Sequence, residues 1–113
     1  MGKGSYKIEF RAKLWMYDGP AAWCFVTMPK VHSREVRKLF QIKEEGWGRL
    51  KARATIGEST WMTSIWFDTK ADSYLLPVKV AIRKKEKLVI GKMMSVMIEI
   101  DQIKNLDPHM ESK

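Results

Sequence analysis

The stretch YKIEFRAKLWMY, residues 6–17, decides the fold, because apolar and charged side chains alternate along most of its length. Successive side chains of a β-strand point to opposite faces, so a period of two predicts a strand with one face in a core and one in water. Asp18-Gly19-Pro20 then favours a turn, and residues 22–28 (AWCFVTM) read as the returning strand. The chain therefore opens with a predicted β-hairpin.

Similar patterns continue along the chain. Residues 49–56 and 94–101 alternate, residues 59–67 and 73–76 are rich in strand-forming side chains, and residues 33–42 and 78–88 favour short helices. Ser33 is the predicted N-cap of the first helix. Strands that follow each other closely favour antiparallel pairing, and closing the sheet hides its edges. We predict a mainly β fold, a small antiparallel split β-barrel with two short helices, over residues 1–104, followed by a flexible tail, 105–113.

A weak internal repeat suggests two related halves. Met28-Pro29 precedes a basic helical stretch that contains Arg37, and Leu76-Pro77 precedes another that contains Arg83. The spacing from Pro to Arg is eight residues in one copy and six in the other. A strand, a Pro and a helix in this order are also common in unrelated proteins, so both interpretations stay open.

The 113 residues fit one domain. No apolar run approaches the about 20 residues of a membrane helix, and the N-terminus lacks the apolar stretch of a signal peptide. A single Cys excludes an internal disulfide, and we predict a cytoplasmic protein without membrane contact. His32 and His109 are far apart, and Cys24 stands alone, so we expect no enzyme activity, no metal and no cofactor.

Charge gives the strongest indication of function. Lys and Arg number 21 against 13 Asp and Glu, a net charge of +8, and most of the excess lies before residue 54. Six cations occupy the predicted outer rows of two strands: Lys7, Arg11, Lys13, Arg49, Lys51 and Arg53. Together with Trp15 and Tyr17 they predict a non-enzymatic module for an anionic partner such as nucleic acid. The alternative is an ordinary solvated face.

Two other functions compete with this one. A small ligand would occupy a cavity lined by Trp23, Trp61, Thr63, Ser64, Trp66 and Arg83, with Arg83 as its anion anchor. A self-associating domain, such as a homodimer, would use Trp15 and Trp47 as contacts. Trp23 and Trp61 are also predicted to fill the barrel.

Short motifs in order along the chain resemble the family catalogued as domain of unknown function nineteen-oh-five. They are Trp23-x-Phe25-Val26-x-x-Pro29, Ile56-Gly57 with Trp61-x-Thr63-Ser64, Leu76-Pro77-Val78, and Ile82-Arg83-Lys84 with Leu88, Gly91 and Val96. The resemblance implies a small split β-barrel with two pseudo-symmetric halves and no established activity. A looser similarity of residues 76–98 to swapped-hairpin transcription regulators, which bind DNA as dimers, is an analogy of fold only.

Overall fold

A computed structural model describes residues 5–41 and 48–101 of the chain as a closed antiparallel barrel of six strands. The strands are β1 (Ser5–Met16), β2 (Cys24–Thr27), β3 (Arg49–Ile56), β4 (Ser59–Asp68), β5 (Ser73–Pro77) and β6 (Met93–Asp101). Helix α1 (Lys30–Phe40) joins β2 to β3, and α2 (Val80–Lys85) joins β5 to β6. The predicted fold class is confirmed, whereas the predicted tail, 105–113, lies outside the described residues.

The strand order around the barrel is β1-β2-β5-β4-β3-β6, and β6 closes the sheet on β1. The inner rows are those that the alternation predicts. They bury Ile8, Phe10 and Leu14 from β1, Leu50, Ala52, Ala54 and Ile56 from β3, and Val96, Ile98 and Ile100 from β6. Lys51 and Arg53 are exposed on the opposite face. Pleat parity therefore separates the core from the charged surface as expected.

The two halves of the barrel are related by a pseudo-twofold axis. Exchanging β1, β2 and β3 with β4, β5 and β6 leaves every neighbour in the strand order unchanged. The backbone N–H of Met28 donates to the Tyr74 carbonyl, and that of Val78 donates to the Cys24 carbonyl, both over 2.9 Å. The two donors, Met28 and Val78, are fifty residues apart, and so are the two acceptors, Cys24 and Tyr74. The internal repeat is thus real, although the sequence comparison pairs Pro29 with Pro77 and is out of register by two positions.

The same shift explains two unusual backbone conformations. Ala22 and Asp72 are fifty residues apart, and both have positive φ, 51° and 55°. Each residue lies just before the short strand that pairs across the axis. Positive φ is uncommon for a residue other than glycine. Its occurrence at both positions indicates that the backbone needs this conformation to enter β2 and β5.

Helix α1 begins one turn earlier than predicted. Pro29, not Ser33, is its N-cap residue, and Ser33 lies fully buried within the helix. The Ser33 hydroxyl donates to the Met28 carbonyl (3.2 Å) and accepts the backbone N–H of Tyr74 (3.0 Å). Because α1 already begins at Lys30, Ser33 lies inside the helix, and its hydroxyl binds Met28 and the β5 residue Tyr74; the N-cap prediction is therefore wrong.

Helix α2 is held at both ends. Near its start, Arg83 Nε donates to the Val78 carbonyl over 3.1 Å. At its end, the Glu86 carboxylate accepts the Ser59 hydroxyl over 2.6 Å and the backbone N–H of Glu58 over 3.3 Å. The carboxylate occupies the space that a Cβ on Gly57 would need. The helix is therefore attached both to β5 and to the turn between β3 and β4.

We expect Ser33→Ala to lower the free energy of unfolding by about 1–3 kcal/mol, because it leaves the buried Tyr74 N–H without its acceptor. Urea unfolding followed by tryptophan fluorescence measures the change. Ser95→Ala is the matched control, since Ser95 is exposed and its loss should change stability by less than about 0.5 kcal/mol. Equal effects of the two substitutions would contradict the role given to Ser33.

Candidate functional site

The six predicted cations lie on the outer faces of β1 and β3, which are the two neighbours of β6 in the barrel. Glu99 of β6 lies between the two basic rows, opposite Lys7 on one side and Arg53 on the other. Its carboxylate is 3.7 Å from Lys7 Nζ and 3.4 Å from Arg53 Nη1. Two of the six cations therefore share one carboxylate.

The remaining cations are far apart along the barrel. Strands β1 and β3 run in the same direction on either side of β6. Lys7 and Arg53 are at the same height along the barrel, because both pair with Glu99. At about 3.3 Å per residue, Lys13 lies about 20 Å to one side of this level and Arg49 about 13 Å to the other. The basic residues thus form a diagonal band rather than a compact patch.

A cavity of about 320 Å³ opens where β5 leaves β4 and helix α2 begins. Its walls come from the start of β2, the middle of β4, the end of β5 and α2: Ala21, Ala22, Trp23, Cys24, Trp61, Met62, Thr63, Pro77, Val78, Lys79, Val80 and Arg83. Trp61 and Cys24 are buried, whereas Trp23 is 46% exposed. We call this space the α2 cavity.

The pseudo-twofold axis shows why the cavity lies beside α2. The fifty-residue shift places Tyr74, which is fully buried, where the α2 cavity has the much smaller Cys24. Helix α1 has eleven residues and buries Ser33, Val36 and Phe40, whereas α2 has six residues and buries only Ile82. Fewer and smaller side chains therefore fill the second half at this place.

The charged residues of the α2 cavity are both cations. Lys79 is exposed at the start of α2, and Arg83 is half-buried one turn later. The hydrogen bond from Arg83 Nε to Val78 fixes the guanidinium, whose two Nη groups can still donate to an anion. The cavity thus combines an aromatic and aliphatic wall with a cationic rim.

Four of the six pocket residues proposed from the sequence line this cavity, namely Trp23, Trp61, Thr63 and Arg83. Ser64 and Trp66 lie instead on the outer row of β4, opposite Lys51 and Arg49. Trp23 does not fill the barrel, contrary to prediction, because it precedes β2 and stacks outside on Phe25, whereas Trp61 is buried as predicted.

Sequence reasoning missed Lys79. Its signal was available in the repeat, because Lys79 occupies the position that corresponds to Pro29 at the start of α1. The repeat read from the sequence aligned Pro29 with Pro77, so it did not show that Pro29 corresponds to Lys79.

A second space, which we call the aromatic groove, lies on the other side of Trp23. It measures about 430 Å³ and is lined mainly by rings that face away from the core: Trp15, Tyr17, Trp23, Phe25 and Trp66, with Pro20, Ala21, Asp68 and Leu75. Trp15 is half-buried, and its Nε1 donates to Thr27 Oγ1 over 2.8 Å. Trp47, the other predicted self-association contact, lies outside the described residues.

Within residues 5–41 and 48–101, no three His, Cys, Asp or Glu side chains group closely enough to hold a metal ion. Neither of the two described helices is long and apolar enough to cross a membrane.

Comparison with known proteins identifies the family but no function. The family model described as Domain of unknown function (DUF1905) matches residues 10–98, well over half of the chain. The chain belongs to this family. No curated protein matches the chain closely enough to count as a relative. The family match covers every described strand at least in part, and it confirms the resemblance read from the sequence.

The position of Glu99 gives the anionic-partner prediction a direct test. Glu99→Gln removes the carboxylate shared by Lys7 and Arg53, so both cations become available to phosphates. We expect its affinity for a labelled single-stranded oligonucleotide to rise several-fold at low salt, measured by fluorescence anisotropy. Glu58→Gln makes the same charge change in an exposed turn and serves as control. An equal rise in both variants would mean that net charge alone acts.

Proposed function

We propose that the protein is a non-catalytic small-ligand-binding domain whose ligand is an apolar or aromatic anion held in the α2 cavity. The observation that carries this proposal is the presence of two Trp side chains and two cations around one opening. The corresponding place in the other half holds the buried Tyr74 and Ser33.

The size and lining of the α2 cavity suit a small molecule. A volume of about 320 Å³ lies within the range of known ligand pockets, which start at about 300 Å³. Trp61 and Cys24 give an apolar floor, and the Trp23 ring forms a side wall. An aromatic ring of a ligand bound there would contact the Trp rings with one face, while its other face would stay in water.

The positive charges at the rim of the α2 cavity favour a ligand with a negative charge. Lys79 and Arg83 are the charged residues of the cavity lining, and no carboxylate of the described part of the chain accompanies them there. The planar Arg83 guanidinium matches a carboxylate, sulfonate or phosphate group through paired hydrogen bonds. A neutral amide of the same shape would offer one uncharged carbonyl oxygen in place of two charged carboxylate oxygens, and its hydrogen bond to Arg83 would be weaker.

Calorimetric titration with 1-naphthoate tests the proposal, and 1-naphthamide provides the neutral analogue of the same size. We expect naphthoate to bind at least about tenfold more tightly, which is what one charge-assisted hydrogen bond supplies. Arg83→Gln should weaken naphthoate binding by about tenfold or more. Lys79→Gln should also weaken it, and this variant leaves the bond between Arg83 and Val78 intact.

Lys84→Gln is the matched control, because Lys84 lies on the same helix and carries the same charge but does not line the α2 cavity. Its naphthoate affinity should equal that of the unmodified protein. The proposal fails if Lys84→Gln weakens binding as much as Lys79→Gln, or if naphthoate and naphthamide bind equally well. Binding of nucleic acid to the basic band stays a separate prediction, tested by Glu99→Gln.

A further inference from the structure

The aromatic groove is a second site that lies beside the α2 cavity, shares Ala21 and Trp23 with it, and has the opposite charge character. Its rings come from four elements that meet only in the fold: Trp15 from β1, Trp23 from the β1–β2 turn, Phe25 from β2 and Trp66 from β4. All four face away from the barrel core, although such large apolar side chains are usually buried. Closure of the barrel therefore does not explain their position.

The rings pack as a continuous surface. Centroid distances are 5.2 Å between Trp15 and Phe25, 5.9 Å between Trp23 and Trp66, and 6.0 Å between Phe25 and Trp66. Phe25 is 6% exposed and forms the floor, and Trp23 and Tyr17 remain about half exposed at the sides. Because a cation interacts with a ring within about 6 Å of its centroid, one cation can contact two neighbouring rings here.

Among the described residues of the lining, the only charged one is an acid. Asp68 follows Trp66 by two residues on β4, so both side chains point to the same face of the strand. Asp68 Oδ1 accepts the backbone N–H of Lys70 over 3.1 Å, which restrains the carboxylate in the lining of the groove. This lining stands out in a chain with a net charge of +8.

We propose that the aromatic groove binds a small organic cation with a quaternary or alkylated ammonium group. The electron-rich ring faces attract such a cation without needing a hydrogen bond, and the Asp68 carboxylate adds a charge of opposite sign. An ammonium group with several alkyl substituents also buries its carbon atoms against the rings. The α2 cavity, whose charged residues are cations, has the opposite preference, so the two sites can fail independently.

Choline is the probe, and 3,3-dimethylbutan-1-ol is its neutral analogue of the same shape. Titration followed through the indole N–H resonances in NMR spectra gives both affinities. We expect choline to bind in the low-millimolar range and the neutral analogue to bind at least tenfold more weakly. Equal affinities would overturn the proposal, because the groove would then select shape and apolarity only.

Asp68→Asn keeps an oxygen that can accept the Lys70 N–H but removes the charge, and it should weaken choline binding several-fold. Trp66→Leu should weaken it further by removing one ring while keeping an apolar side chain. Asp72→Asn is the control, since it removes an acid outside the groove and should leave binding unchanged. An equal loss in Asp72→Asn would overturn the proposal, as would the absence of choline-induced shifts. Indole shifts that depend on protein concentration alone would also contradict it, because a second copy would then occupy the groove.

Discussion

The pseudo-twofold symmetry of the barrel is centred on one pairing, between the short strands β2 and β5. Two reciprocal hydrogen bonds, from Met28 to Tyr74 and from Val78 to Cys24, join the halves with the same geometry in both directions. An isologous contact of this kind requires the same backbone path on each side. The positive φ angles of Ala22 and Asp72 satisfy that requirement in both halves, whatever the side chain.

The backbone repeats around β2 and β5, so functional differences between the halves come from the side chains there and from the lengths of the two helices. Tyr74 corresponds to Cys24, and Ser33 corresponds to Arg83. Tyr74 and Ser33 are fully buried in one half, whereas Cys24 and Arg83 border the α2 cavity in the other. Even the local bonding is parallel, because the Ser33 hydroxyl donates to Met28 and Arg83 Nε donates to Val78. Arg83 thus keeps the donated bond of Ser33, cannot accept a backbone N–H as Ser33 does, and adds a positive charge.

The sequence predicts the strands well, because the parity of side chains in a strand depends on local pattern alone. The inner rows of β1, β3 and β6 are buried or half-buried as expected, apart from Met16, which is 46% exposed at the end of β1. Lys51 and Arg53 lie outside. Strand order depends on contacts between distant residues, so the position of Glu99 between the basic rows could not be predicted. Ser33 and Trp23 were misassigned for the same reason, since their partners, Tyr74 and Trp66, lie about forty residues away along the chain. The candidate pocket was predicted in part, because Trp61 and Thr63 share the inner row of β4.

The attachment of α2 at both ends has a consequence for recognition. Arg83 is restrained by the Val78 carbonyl, and its helix is tied through Glu86 to Ser59 at the opposite turn. A long side chain normally loses rotational freedom when it binds a ligand, and this loss costs about 0.5–1.5 kcal/mol of binding free energy. Here folding has already removed much of that freedom. An anion arriving at Arg83 meets a preorganised donor, so even a molecule with few atoms can gain affinity from a single contact.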